Sequence, residues 1–370
     1  MPTLDELRRQ LDKLDRELLE LVARRQATSR EIARVKRSTG HPTRDYGRER
    51  EVILGAREEA AQLEVSPQIA ESMMRLLIRS SLTTQERASV AAHGSGSGRS
   101  ALVIGGAGKM GGWFAQFLSS QGFDVQIADP RAAAMGVAGL ADWQDSSLTH
   151  DFIVVAAPLG ETDRILQELA RRRPAGVVFD LGSLKSPLRR GLSALQAAGV
   201  AVTSLHPMFG PDTELLSGRH VIFIDLGHGG ALSQARALFA PTMAEQAVMQ
   251  IDEHDRLIAY VLGLSHAVNI AFFTALADSG AAAPRLLQLS STTFDAQFDI
   301  ASRVAEESPE LYYEIQRLND YGGESLEALS RALRSLREAV QGADPERFKA
   351  LMRAGREYVE GRRDTAARRA

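Results

Sequence analysis

The chain has 370 residues, 44% hydrophobic and 25% charged, with a formal net charge of −3 and no cysteine. This balance fits a globular protein of two or three domains and gives no reason to expect a nucleic-acid or membrane partner. Without cysteine there is no disulfide, thiolate nucleophile or cysteine metal centre; no metal is expected, and a reducing, cytoplasmic setting fits. The N-terminus is charged and amphipathic, without the apolar core of a secretion signal, and no apolar run reads as long enough to span a bilayer.

The first ninety residues read as three helices. Leu4, Leu7, Leu11, Leu14, Leu18 and Leu21 alternate three and four apart, which is a heptad seam. Ile32 and Val35 continue it, but Arg25 and Thr28 interrupt it. One helix from Leu4 to Ser38 would be about 50 Å long. Burying Arg25 in such a seam without a partner costs about 2–5 kcal/mol, so something anionic should meet it. The bland alternative is a solvated basic helix. Lys36 lies close to three turns further on and shares the face of Arg25. Arg8 lies about 25 Å away along the axis and off that face, so it would reach the same site from a second copy of the chain. His41-Pro42 closes the helix. A second helix, Asp45–Leu63, carries Arg48 and Glu49 at its start. Ser66-Pro67 opens a third, on which Ser81 and Gln85 are i, i+4 neighbours. Three helices of this size bury little apolar surface alone, so a dimer is expected.

In order along the three helices, Arg8, Arg25, Lys36, Asp45, Arg48, Glu49, Ser81 and Gln85 match the site residues of the all-helical chorismate mutases, and the segment resembles that family. The resemblance implies a pericyclic rearrangement of chorismate to prephenate, with Arg8 supplied by the partner subunit. Arg8, Arg25 and Arg48 would clamp the two substrate carboxylates, Lys36 and Gln85 would stabilise the ether oxygen as its bond breaks, and Glu49 would hold the 4-hydroxyl.

A linker, flexible by its Gly and Ser content, follows over 91–99. Ala101–Gly111 then reads as a buried strand running into Gly106, Gly108 and Gly111, a G-x-G-x-x-G turn containing Lys109 and Met110, with helix from Trp113. Such a turn lets a pyrophosphate approach the backbone and meet free N–H groups at a helix N-terminus. Asp129, at the end of the next strand (Phe123–Ala128), suits a ribose 2′-hydroxyl and favours NAD over NADP. An ordinary α/β loop with a capping Asp is the bland alternative. Strands at Phe152–Ala156 and Val177–Asp180, with helix Glu161–Arg172 between them, complete the pattern of a doubly wound parallel sheet. Pro158, Thr162, Ser183 and Lys185 stand at strand ends, where ligands bind such sheets, although each singly suits an ordinary turn. His206, at a strand end before two turn prolines, is the natural general base, although a lone histidine is more often structural. From Asp252 to Gly361 the pattern is helical, with the apolar Ile258–Leu276 suited to a buried helix at a subunit interface or in a domain core.

His206-Pro-Met-Phe-Gly-Pro211, the glycine-rich turn, Asp180-Leu-Gly-Ser-Leu-Lys185 and Glu253-His-Asp255 together resemble prephenate dehydrogenases. The whole chain is thus similar to the fused chorismate mutase–prephenate dehydrogenase family. Its implied architecture is an all-α mutase domain (1–90), an α/β Rossmann domain (100–245) and an all-α dimerisation domain (246–370). The implied chemistry is NAD-dependent oxidative decarboxylation of prephenate to 4-hydroxyphenylpyruvate. His206 would take the hydroxyl proton, Ser183 would hold that hydroxyl, and His254 would orient substrate or cofactor. One departure stands out. The family arginine that binds a prephenate carboxylate aligns with Asp295 or Asp299, which leaves Arg303 as a substitute or points to arogenate or the 4-amino analogue. An NAD-binding sensor on a helical dimeriser is the rival from outside enzymology.

Overall fold

The computed structural model describes residues 2–367; residue 1 and residues 368–370, at the ends of the first and last expected domains, lie outside the described residues. Three helices come first: α1 (Leu4–Thr39), α2 (Tyr46–Gln62) and α3 (Pro67–His93). Thr3 and Glu6 form a reciprocal capping box at the start of α1, with acids in the first turn and Lys36 and Arg37 in the last. Both α1 and α2 pack on α3. The heptad leucines of α1 do not: Leu4, Leu7, Leu11, Leu14, Leu18 and Leu21 are 44% to 63% exposed.

The expected flexible linker is shorter and tighter than composition suggests. Helix α3 runs through residues 91–93 to His93. Gly96 is buried, donates from its N–H to Gln121 O at 3.1 Å, and a Cβ there would lie 2.3 Å from Phe123 N. Glycine is therefore required by a close backbone approach.

Next come β1 (Ser100–Ile104), α4 (Lys109–Ser120), β2 (Asp124–Ala128), β3 (Phe152–Val155), α5 (Leu159–Arg172), β4 (Val177–Asp180) and α6 (Arg189–Ala197). The four strands form a parallel sheet in the order β2-β1-β3-β4. β1, β3 and β4 are mostly buried apolar runs, as a sheet covered on both faces requires, whereas β2 at the edge is half-buried and carries Asp124 and Gln126. Helix α4 starts at Lys109, directly after the glycine turn, rather than at Trp113.

A second sheet follows, and it is not parallel throughout. β5 (Ser204–Pro207), β6 (His220–Ile224), α7 (Gly229–Ala237) and β7 (Glu245–Met249) follow, and β5 pairs antiparallel with β6 in a separate three-stranded sheet. An isolated bridge, Val178 to Val202, ties β4 to the chain just before β5. Phe114, Phe117, Phe152, Phe179, Phe223 and Phe239 fill the core between sheet and helices.

The C-terminal part is helical: α8 (Ile251–Ile258), α9 (Ser265–Asp278), α10 (Ala283–Gln288), α11 (Thr292–Glu306), α12 (Pro309–Arg317), α13 (Gly322–Gln341) and α14 (Pro345–Ala367). A π-helical turn at Ala259–Leu264 joins α8 to α9 into one 28-residue run. This corrects the expectation that no apolar run is long enough to cross a bilayer, since an 18-residue window of it has a mean hydropathy of 1.7. Its first turns carry buried His254 and Asp255, which hold it in the protein.

Candidate active sites

The N-terminal site forms where α1 crosses α3. Arg25 Nη1 donates to Ser81 Oγ at 2.6 Å and to Leu77 O at 2.8 Å. Ser29 Oγ donates to Ser81 Oγ at 2.9 Å, and Ser81 in turn donates to Leu77 O. Burial pulls the Arg25 pKa down, as expected of a cation set among packed helices. Gln85, one turn beyond Ser81, is buried, and its Oε1 has no partner among the described residues. A buried amide oxygen left unpaired costs about 1–3 kcal/mol, and a ligand donor would satisfy it.

At the start of α2, Asp45 caps the helix by accepting the Arg48 N–H at 2.9 Å. Lys36 Nζ donates to Thr43 O at 2.8 Å. Glu49 is held through both oxygens by Arg44, at 2.8 and 2.9 Å. Sequence reasoning missed Arg44, because nothing in its spacing separates it from the other basic residues there.

Two expected carboxylate clamps stand elsewhere in the single chain. The Arg48 guanidinium turns out to Glu51 at 3.0 Å. Arg8 is exposed beside Asp5 at 3.7 Å, at the far end of α1. A straight helix cannot fold Arg8 back onto Arg25 within one chain.

The second site lies at the carboxyl ends of the strands. Gly111 packs so tightly under the first turn that a Cβ there would meet Gly105 O at 2.2 Å. This close packing brings the N-terminus of α4 against the turn. A cavity of about 1000 Å³ opens beside it, lined by Gly105, Asp129, Arg131, Trp143, Pro158 and Arg164, among others. Asp129 is buried; burial raises its pKa, but hydrogen bonds from Arg131 and from Ala107 N more than offset this and hold it low. Thr162 does not line this cavity. Its hydroxyl donates to Ala157 O at 2.9 Å and Pro158 O at 3.1 Å and secures the start of α5, so its expected cofactor role is corrected to a structural one. Lys109 is exposed and lies 3.6 Å from Glu307, which directly follows α11.

His206 ends β5 with its ring buried. Its Nδ1 lies 2.9 Å from His254 Nε2, and His254 Nδ1 lies 2.6 Å from Asp255 Oδ1. Asp255 accepts further bonds from Lys185 N at 3.0 Å, from Ser186 N at 2.5 Å and from the Ser186 hydroxyl. Lys185 is wholly buried and donates at 2.7 Å to Asp180 Oδ2, Gly182 O and Leu205 O, the last being the carbonyl next to His206.

The chain of bonds sets the tautomers. Burial raises the Asp255 pKa, but its donors more than reverse this, so it is a carboxylate and accepts from His254 Nδ1–H. Burial, against the pull of Asp255, holds neutral His254 below the ordinary imidazole value, and its Nε2 accepts from His206 Nδ1–H. Burial, with His254 and Lys185 beside it, pushes His206 well below 6.5. The lone pair of His206 therefore sits on Nε2, which makes that atom a proton acceptor near neutral pH.

Three family profiles match the chain in succession: chorismate mutase type II over residues 7–86, the nucleotide-binding domain of prephenate dehydrogenase over 114–248, and the prephenate dehydrogenase dimerization domain over 250–354. The T-protein of Enterobacter agglomerans is 29% identical over 320 residues, covering 84% of this chain and 81% of its own length. The 4-amino-4-deoxyprephenate dehydrogenase of Streptomyces pristinaespiralis is 31% identical over 265 residues, covering 68% of this chain and 88% of its own. The chain belongs to the fused chorismate mutase–prephenate dehydrogenase family. A prephenate dehydrogenase of A. aeolicus, solved with hydroxyphenyl propionate and NAD+, shares the fold over 72% of this chain and 99% of its own, with a TM-score of 0.54 at 22% identity.

As a member of this family the chain is an enzyme with an isomerase and an NAD-dependent oxidoreductase part. The residues present fit NAD: the α4 N-terminus faces the glycine turn, and Asp129 stands in the cavity wall where a ribose would lie. In the mutase–dehydrogenase frame Asp255 is the residue that sequence reasoning passed over. The Glu-His-Asp triplet was a signal for it, but its partners lie about seventy positions upstream.

Proposed function

We propose that this enzyme acts in the cytoplasm as a homodimer, rearranges chorismate to prephenate in its N-terminal domain and oxidatively decarboxylates prephenate in the remainder. The observation that carries the dehydrogenase reading is the buried series His206–His254–Asp255.

In the mutase step no residue forms a bond to substrate. Arg25 holds one carboxylate and Arg8 of a second copy reaches the other, while Lys36 Nζ and the Gln85 amide N–H donate to the breaking ether oxygen and Glu49, steadied by Arg44, takes the hydroxyl. In the second step, NAD supplies the hydride acceptor when bound. His206 Nε2 accepts the proton of the C4 hydroxyl as that carbon loses hydride and becomes a carbonyl. Ser183, half-buried in the turn after β4, steadies the same oxygen. The C1–carboxylate bond then breaks, its electron pair moves through the ring to the C4 oxygen, which takes back the proton held by His206, and carbon dioxide leaves the aromatic phenol. His254 and Asp255 keep the proton of His206 on Nδ1 so that Nε2 stays open to substrate.

Asp295 and Asp299 are both exposed on α11 and offer no cation to a carboxylate. Arg303 stands one turn before Glu307, the residue that meets Lys109 of the nucleotide turn. Arg303 is a cation exposed on α11, and we assign it the substrate carboxylate.

Two observations favour a second reading, oxidation of the 4-amino analogue: the similarity to the Streptomyces pristinaespiralis enzyme and the acidic residues at 295 and 299. Steady-state NADH formation with prephenate, arogenate and 4-amino-4-deoxyprephenate separates the readings. The proposal expects the highest kcat/KM with prephenate; a preference of tenfold or more for the amino compound would establish the second reading.

A further inference from the structure

The mutase helix α3 reaches into the dehydrogenase. Glu86, the residue after Gln85, is buried, with 4% of its surface exposed. Its Oε2 accepts from Leu216 N at 2.7 Å and its Oε1 from Met243 N at 2.6 Å. A buried carboxylate is tolerated only with such compensation, and here both donors belong to the other domain. Leu216 lies in the 208–219 loop, which leaves the end of β5 directly after His206-Pro207 and returns as β6. Met243 leads into β7. Glu86 thus fixes two backbone segments of the three-stranded sheet that carries the catalytic base.

The same loop is held at two further points. Arg44, which grips Glu49, donates through Nη1 to Ser217 Oγ at 2.7 Å. Trp113 of α4 donates to Thr213 O at 2.9 Å and packs edge-on against Phe209, with ring centroids 4.9 Å apart.

From this geometry we infer that Glu86 is a positioning residue for the dehydrogenase reaction, supplied by the mutase domain: its carboxylate sets the 208–219 loop and with it the placement of His206 against substrate. The inference rests on the prephenate-oxidation reading above.

The test uses the full-length chain carrying Glu86→Ala, Glu86→Gln or Ser217→Ala. Glu86→Ala is expected to raise the prephenate KM and lower kcat, with kcat/KM down about tenfold or more. The NAD+ KM and the chorismate mutase kcat/KM should stay within twofold. Glu86→Gln keeps one acceptor oxygen and should recover part of the loss, and Ser217→Ala should give a smaller shift in the same direction. Trp113 emission, read in a Trp143→Phe background, should move to longer wavelength in Glu86→Ala as the loop loosens. A prephenate kcat/KM within twofold of the parent overturns the inference. So does an equal fall of both activities with prephenate KM unchanged, which is what a merely destabilised protein would show. If Glu86→Ala fails to fold, an unchanged prephenate KM in folded Glu86→Gln overturns it. If the parent enzyme does not oxidise prephenate, the functional reading fails, and the Trp113 shift still decides whether Glu86 holds the loop.

Discussion

At the scale of single residues, the dehydrogenase site is a problem in proton placement. His206 is neutral because burial and two neighbouring basic groups oppose its charge. The group that protonates in the free enzyme therefore titrates below the ordinary imidazole value of 6.5. With a lowered pKa, the active neutral form persists as pH falls through 6.5 and is lost only below it. A kcat/KM profile for prephenate should thus keep its plateau through pH 6.5, and an acid limb centred above that pH would contradict this environment. His206→Asn removes the acceptor and should lower kcat by about 10²–10⁴. Asp255→Asn leaves His206 in place but removes the charge that orders the tautomers. It should cost about 10–100-fold in kcat, with NAD+ binding preserved by calorimetry. A kcat within twofold of the parent would show that the histidine pair orders itself without the carboxylate.

Much of this was legible residue by residue. Gly106, Gly108 and Gly111, Asp129 and the His206 loop stood out because local spacing alone produces a turn, a strand end and a rigid histidine. Asp255 and the burial of Lys185 were not legible in the same way. Their partners are separated by long stretches of chain, and only tertiary structure brings Lys185 N and Ser186 to the carboxylate. Thr162 shows the opposite failure: a hydroxyl at a strand end looked available for ligand, yet it bonds to its own turn.

At the scale of elements, periodicity located the helices but not what covers them. The α1 leucines were read as a packing seam, but within one chain they face outward. Burying a leucine fully yields about 1.5–3 kcal/mol, so half-exposed leucines repeated along one stripe favour a second copy of the chain. The α8–α9 run has the same character, with Leu257, Tyr260 and Val261 exposed despite its apolar sequence. Charging the seam with Leu14→Glu should dissociate the α1 pairing. Mutase kcat/KM should fall at least about 100-fold as Arg8 is withdrawn, while NADH formation from added prephenate stays within threefold. Mutase activity retained after Leu14→Glu, with the protein monomeric by light scattering, would place all the substrate contacts within one chain. The π turn was invisible to a 3.6-residue pattern, because it inserts a residue without changing composition. The sequence put His206 at a strand end, but nothing local to Ser204–Pro207 tells that β5 pairs antiparallel with β6.

At the scale of the whole molecule, strand–helix alternation anticipated the parallel sheet of β1 to β4. The junction between the halves was not anticipated. A run rich in Gly and Ser suggested a loose tether, whereas Gly96 is packed against the 121–123 turn and Glu86 and Arg44 bond directly to the dehydrogenase loop. The two catalytic domains therefore share a physical boundary while keeping separate chemical groups: Arg25, Ser81 and Gln85 on one side, His206, His254 and Asp255 on the other. The central claim is that both reactions occur in this one chain at these two sites. It is tested most directly by following NADH with chorismate and NAD+ as the only additions, for the parent chain and for Arg25→Ala. The account predicts NADH from the parent after a lag while prephenate accumulates, none above the uncatalysed rate from Arg25→Ala, and a normal rate from Arg25→Ala once prephenate is supplied. Parent-like NADH formation from chorismate by Arg25→Ala, or loss of prephenate oxidation in a folded Arg25→Ala protein, would contradict it.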